Sequence, residues 1–315
     1  MRYSKISLVL FLFLARLPAS AEDDAAPKDG NFFASVVARL SLGDPVQSGP
    51  VVLIPLIIDK APDSLTVAPG VGSSELAFAE PAWPERRYNV DVTNGGKQPA
   101  LLIGGSILVG GRLDRMAPRD LIIPPGKTLE IHMLPAEYQR RYRSKPLAFR
   151  MHPTPAPPYL RERAISSPSR NLVPTFVSHF LNFRPSADDR LSLAAIDEAP
   201  ALVKYCVSCQ AALADFPDIA GQRVVGFITA VRGRVYSAEV FGDHALLLSS
   251  FEALVRAHIY AAAAIELRAE RVAFPLPKSD AGAVAKATKM AAELLTTLQT
   301  RLRYRPFAIP LGTAG

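Results

Sequence analysis

Cysteine is scarce in this chain: Cys206 and Cys209 are the only two in 315 residues, so at most one internal bridge can form. A C-x-x-C pair does redox work when it opens a helix after a strand, where the thiolate is stabilised. This pair instead lies within "APALVKYCVSCQAALADF", where Leu202, Tyr205, Cys206, Cys209, Leu213 and Phe216 recur at spacings of three and four and form one apolar helical stripe. The pair reads as buried thiols or a disulfide that distorts the helix locally, with redox work and metal binding as the alternatives. Metal-ligand spacing is also missing. His132, His152, His179, His244 and His258 form no H-x3-H or H-E-x-x-H pattern, so they read as surface or satisfied core residues, and no metal or cofactor is expected. Nor is there a concentrated basic stripe. "EYQRRYR", residues 137–143, mixes Arg with Tyr but is a single short turn, which reads as a solvated strand exit, and nucleic acid is not an expected partner.

What is present begins with an address. Arg2 and Lys5 precede an apolar run from Ile6 to Ala15, and Ala19 and Ala21 follow in an A-x-A pattern. This is the layout of a secretory signal peptide, whose apolar run is about half the ~20 residues of a membrane span. Cleavage after Ala21 leaves 294 residues and lowers the formal charge from +7 to +4, because Arg2, Lys5 and Arg16 are removed with no acid. The expectation is an exported protein, periplasmic or extracellular, soluble after cleavage and without stable membrane insertion.

The remaining chain reads as α+β. Residues 22–32 are a polar leader, 33–150 a β-rich lobe, 151–174 a Pro-rich connector, 175–305 an α+β lobe and 306–315 a tail. "NFFASVVARLSL" fits strand or short helix. "GPVVLIPLIID", residues 49–59, predicts a buried strand broken or bulged at Pro55. "YNVDVTNGGKQPALLIGG" predicts a hairpin turning at Asn94-Gly95-Gly96, and Pro124-Pro125-Gly126 a second tight turn. From Pro146 to Pro174 proline recurs without a sustained period, which predicts extended surface chain. Later, "VVGFITAV" and "RVYSAEVF" flank Arg232-Gly233 as a hairpin, Asp243 is placed to cap a long Ala- and Leu-rich helix, and a last helix is predicted over about 281–304.

The chemistry centres on "LLIGGSILVGGRLDRMAPRDLIIPPGKTLEI", residues 101–131. Gly105-x4-Gly110 imitates a P-loop, but Gly111 and Arg112 stand where that loop needs Lys and a hydroxyl residue, so nucleotide hydrolysis is not expected. Ser106 is no nucleophile elbow, since Leu108 occupies a required glycine position. Gly110 and Gly111 beside Arg112 and Arg115 leave two readings. Main chain and guanidinium forks could cradle a small phosphate- or nucleotide-like anion, or the glycines could shape strand ends while the arginines pair internally. In an enzyme, Asp114 would be the general base.

Two passages resemble a known family. The segment just quoted is similar to the first signature of the ARG and rhodanese-phosphatase-superfamily-associated protein domain family, at Gly105, Gly110, Gly111, Arg112 and Arg115. "GQRVVGFITAVRGRVYSAEVFGDHALLLSSFEALVRAHIYAAAA" resembles the second, at Gly221, Gly226, Gly233, Phe241 and Gly242. The resemblance spans Val36 to Arg268. It implies a bacterial protein of undetermined biochemistry, some relatives neighbouring ADP-ribosyl-processing functions. Ser106-Ile107 and Leu113-Asp114 replace polar positions of the first signature. Retained glycines with replaced polar groups imply a preserved scaffold: a non-catalytic binding protein, with an enzyme on phosphorylated or ADP-ribosylated substrates as alternative. An envelope protein-interaction module using residues 154–168 is the third reading.

Overall fold

A computed structural model describes residues 36–59, 68–69, 75–81, 88–137, 146–166, 172–173, 192–194, 200–213, 216, 223–241, 243–269 and 281–304. The expected signal peptide and leader lie outside these residues, as do 138–143 of the Arg/Tyr segment and His179. The fold is α+β.

Its central sheet is built by β1 (Leu40–Leu42), β2 (Val46–Ser48), β3 (Val51–Ile58), β14 (Val224–Val231) and β15 (Arg234–Val240), in the order β1-β3-β14-β15 with β2 also on β3. Strands from both sides of the Pro-rich stretch therefore share one sheet. β3 alternates between two cores: Val51 and Leu53 join one, and Val52, Ile54, Leu56 and Ile58 the other. A strand apolar on both faces needs cover on both. One cover comes from α2 (Pro200–Leu213) and α3 (His244–Ala269), the other from α4 (Ala281–Tyr304).

Pro55 neither breaks nor bulges β3, contrary to expectation. Its carbonyl accepts from Gly43 N at 2.9 Å, at the corner between β1 and β2. The missing N–H of the proline faces that same corner, so no ladder bond is lost. The register shift lies in the partner strand, between Val224 and Gly226.

A second, smaller core gathers Val90, Val92, Leu102, Leu108, Ile123, Ile131 and Met133 from three short sheets. Here β6 (Asn89–Asn94) pairs with β5 (Leu76–Ala79) and β11 (Thr128–His132), while β7 (Ala100–Leu102) pairs with β4 (Ala68–Pro69) and β10 (Leu121–Ile123). The predicted β6–β7 hairpin does not form. Asn94 Oδ1 accepts from Gly96 N at 2.9 Å, and its amide donates to Gln98 O and Ile123 O, so its side chain turns the strand toward a different sheet. The Pro124-Pro125-Gly126 turn forms as predicted, closed by Lys127 N on Pro124 O.

The Pro-rich segment is also more ordered than expected. It holds β13 (Leu147–Met151) and α1 (Pro158–Ser166), and residues 154–158 are buried. Pro158 opens the helix, where its lack of N–H costs nothing. Leu160 N donates to Pro157 O. Pro155, Pro157 and Pro158 are buried, while Tyr159 and Ile165 of α1 are exposed. The later predictions hold: Arg232 and Gly233 turn at φ 49° and 72° between β14 and β15, and Asp243 Oδ1 caps α3 by accepting from Leu246 N at 2.8 Å.

Candidate functional site

The predicted cradle sits on β8 (Ile107–Gly111) and β9 (Arg115–Met116), an antiparallel pair flanked by β13 and β12 (Leu134–Pro135). Gly110 has φ 129°, and a Cβ there would collide with the Ala148 carbonyl of β13. Glycine is thus required for strand approach. Arg115 is 1% exposed. Its guanidinium pairs with Glu80 at 2.6 Å, donates to Leu113 O at 3.0 Å and lies 5.1 Å from the Phe149 ring centroid. Arg112 reaches the same Glu80, its main-chain N–H at 2.7 Å and its Nε at 3.5 Å, with the side chain 47% exposed. Asp114 is buried, and its Oδ1 accepts from Gly110 N at 2.9 Å. The structure brings Gly110, Gly111, Arg112, Asp114 and Arg115 together, with the Arg115 and Asp114 side chains turned inward. Glu80, 35 residues before Arg115, is the group that sequence reasoning missed.

Cys206 and Cys209 are both buried free thiols. Burial pushes the Cys209 thiol up, opposed by hydrogen bonds with Ser48 and Tyr205. Among the described residues no group of three or more His, Cys, Asp or Glu is arranged to hold a metal ion.

A different polar cluster lies deeper. Arg161 of α1 forms an ion pair with Glu239 of β15, and Glu239 Oε1 also accepts from His258 Nε2 of α3 at 2.7 Å. On the other ring edge, Nδ1 lies 2.8 Å from Thr229 Oγ1 and 3.1 Å from Ser237 Oγ. These partners fit a neutral imidazole protonated at Nε2, accepting at Nδ1 from the hydroxyls. Burial holds the His258 pKa below its ordinary value, against the pull of Glu239. The edge of the cluster is Asp120, partly buried, whose Oδ1 accepts from Gly104 N at 2.5 Å. Desolvation pushes its carboxyl up to about 7, opposed by the Gly104 bond and the Arg161 charge and assisted by Glu239.

Ser237, His258 and Glu239 are the residue types of an acyl-transfer relay. Their setting is not. Ser237 is 1% exposed and His258 is 0%, and Thr229 competes for the same ring nitrogen. The separate residues offered no sequence signal, since 97 positions part Arg161 from His258.

Residues 39–176 match the sequence model of the ARG and Rhodanese-Phosphatase-superfamily-associated Protein domain. The match takes in Gly105 to Arg115, Asp120 and Arg161. It ends before the second resembling passage, and so before Glu239 and His258. No curated protein and no solved structure matches the chain.

Proposed function

We propose that the chain acts as an exported, non-catalytic binding or scaffold protein. The observation that carries this reading is the engagement of its reactive-type side chains with one another: Arg115 with Glu80, Asp114 with Gly110 N, and Glu239 with both Arg161 and His258. Charges compensated under cover stabilise an arrangement, whereas turnover needs groups that meet a substrate. A small anion would find only the exposed flank of Arg112 at the glycine turn. Export rests on the signal-like sequence of residues 1–21.

The test uses purified mature protein with a phosphomonoester, an ADP-ribosylated peptide and an aryl ester, alongside calorimetry with phosphate and ADP-ribose. The expected result is no turnover above buffer, and any anion binding lost in Arg112→Ala. Turnover abolished by Asp114→Asn would overturn the reading.

One observation favours the enzyme alternative. A carboxyl poised near neutrality beside an arginine suits general acid–base work, and Asp120 beside Arg161 has that character. Turnover that disappears in Asp120→Asn while the fold persists would select it.

A further inference from the structure

Cys206 and Cys209 stand one turn apart on α2, and the proposed function leaves them unused. They are 3% and 2% exposed, and neither is in a disulfide. They share the inner face of the helix with Leu213, while Val203, Lys204, Val207 and Ser208 line the outer one. Polar side chains meet both sulfurs. Cys206 Sγ donates to Gln210 Oε1 at 3.8 Å, and Ser48 of β2 and Tyr205 hydrogen-bond the Cys209 thiol. Ser48 and Tyr205 are buried, but Gln210 is half-buried and its amide donates to Glu252 Oε1 of α3 at 3.0 Å. Cys206 thus lies one side chain beneath the surface, and Gln210 is the way in.

Spacing decides what such a pair does. Positions three apart on a helix hold their Cβ atoms about 5 to 6 Å apart, and a disulfide needs about 3.5 to 4.5 Å. α2 runs unbroken through both residues, from Pro200 to Leu213, so the regular helix keeps the two sulfurs from bonding each other. One ion between them meets no such obstacle, because each metal–sulfur bond adds about 2.3 Å to the span. The number of ligands then selects the ion. Among the described residues no third His, Cys, Asp or Glu joins the two thiols, whereas structural zinc takes four ligands, and calcium and magnesium take about six or more, mostly oxygen. Two sulfurs alone suit a soft cation.

We propose that Cys206 and Cys209 form a two-thiolate site for a single soft metal ion, copper(I) or mercury(II) in chemistry. The ion takes the place of the thiol protons. Two S–H bonds break, two metal–sulfur bonds form, both protons leave to solvent, and no electron is transferred. Burial penalises a bare thiolate, and the bound cation cancels that charge. Affinity therefore rises with pH, because each ligand must lose its proton.

The experiment incubates the reduced, full mature chain with copper(I) or with mercury(II), each beside an excess of a small monothiol that strips any ion held by one sulfur. Native mass spectrometry counts what stays bound. Wild type is expected to retain one ion per chain in at least one arm, with the mass of two protons lost for mercury(II), and the two arms separate the ions. Cys206→Ser and Cys209→Ser, shown to be folded by circular dichroism, are expected to retain none. An ion kept by either variant would show that the thiols act separately and overturn the site. So would failure with both ions, or uptake by wild type in denaturant only. A further reading needs no variant: X-ray absorption of the loaded wild type should show two sulfur neighbours, and a shell of three or four ligands would overturn the two-thiolate assignment.

Discussion

Glu239 Oε1 accepts from His258 Nε2 at 2.7 Å while pairing with Arg161, so a single buried carboxylate joins α1, β15 and α3. Arg161 lies within the segment that matches the family model, and Glu239 and His258 lie beyond its end. The polar centre, like the β3–β14 pairing, ties the two parts of the chain into one fold. A chain cut after residue 176 is expected not to fold, because β3 loses its neighbour and Arg161 its counter-charge. Circular dichroism with a broad or absent unfolding transition checks this; a cooperative transition like that of the full chain would refute it.

The Arg115–Glu80 pair predicts a stability loss without a functional one. Glu80→Gln keeps an oxygen for Arg115 but removes the charge, at a cost of about 1 to 3 kcal/mol. Urea unfolding reads the loss. An unchanged midpoint would mean that Arg115 does not depend on this partner.

Gly110→Ala should be among the most damaging single-methyl changes. It forces a side chain into a positive-φ position and against the Ala148 carbonyl, which costs about 2 to 4 kcal/mol. Thermal unfolding tests it, and a variant within error of wild type would show that β13 can move away.

Global stability should depend on pH through two opposing groups. Asp120, raised to about 7, favours folding fully below its ordinary 3.8, and this contribution fades as pH rises toward 7. His258, lowered from 6.5, opposes folding as pH falls below 6.5. Between about 4 and 6.5 the slopes offset each other. Removing one exposes the other: relative to wild type, Asp120→Asn should gain stability steadily as pH rises from 4 to 7. Parallel curves for the two proteins would contradict the assignment.

The buried thiols predict slow labelling. In native buffer a thiol reagent should modify Cys206 and Cys209 slowly, and in denaturant it should modify both at once. A native protein with no titratable thiol in denaturant would mean that the distorted bridge forms instead.

Local chemistry made much of this fold legible in the sequence. The Arg232–Gly233 turn, the Asp243 cap and the last helix depend on neighbouring residues, and they appear where the sequence places them. The misread parts depend on distant partners. Pro55 is harmless only because the corner between β1 and β2 needs no donor there. Asn94 and Gly96 make a real turn, yet where the chain goes next is set by Ile123 and the other sheets. Proline marked 151–174 as linker, but Pro158 starts a helix whose Arg161 is drawn inward by Glu239, 78 residues later. The glycine–arginine segment carried its shape in the sequence, while the fate of its charges waited on Glu80.

The central claim is that the Arg161–Glu239–His258 cluster is a structural clamp, and paired unfolding measurements test it most directly. Removing one member of a buried pair leaves an uncompensated charge and costs about 3 to 5 kcal/mol, while replacing both with apolar residues of similar size costs far less. Urea unfolding of Arg161→Met, Glu239→Leu and the double variant should therefore show two severe single losses and a double variant clearly more stable than their sum implies. Single variants as stable as wild type, or more so, would mark the cluster as strained for function and contradict the account.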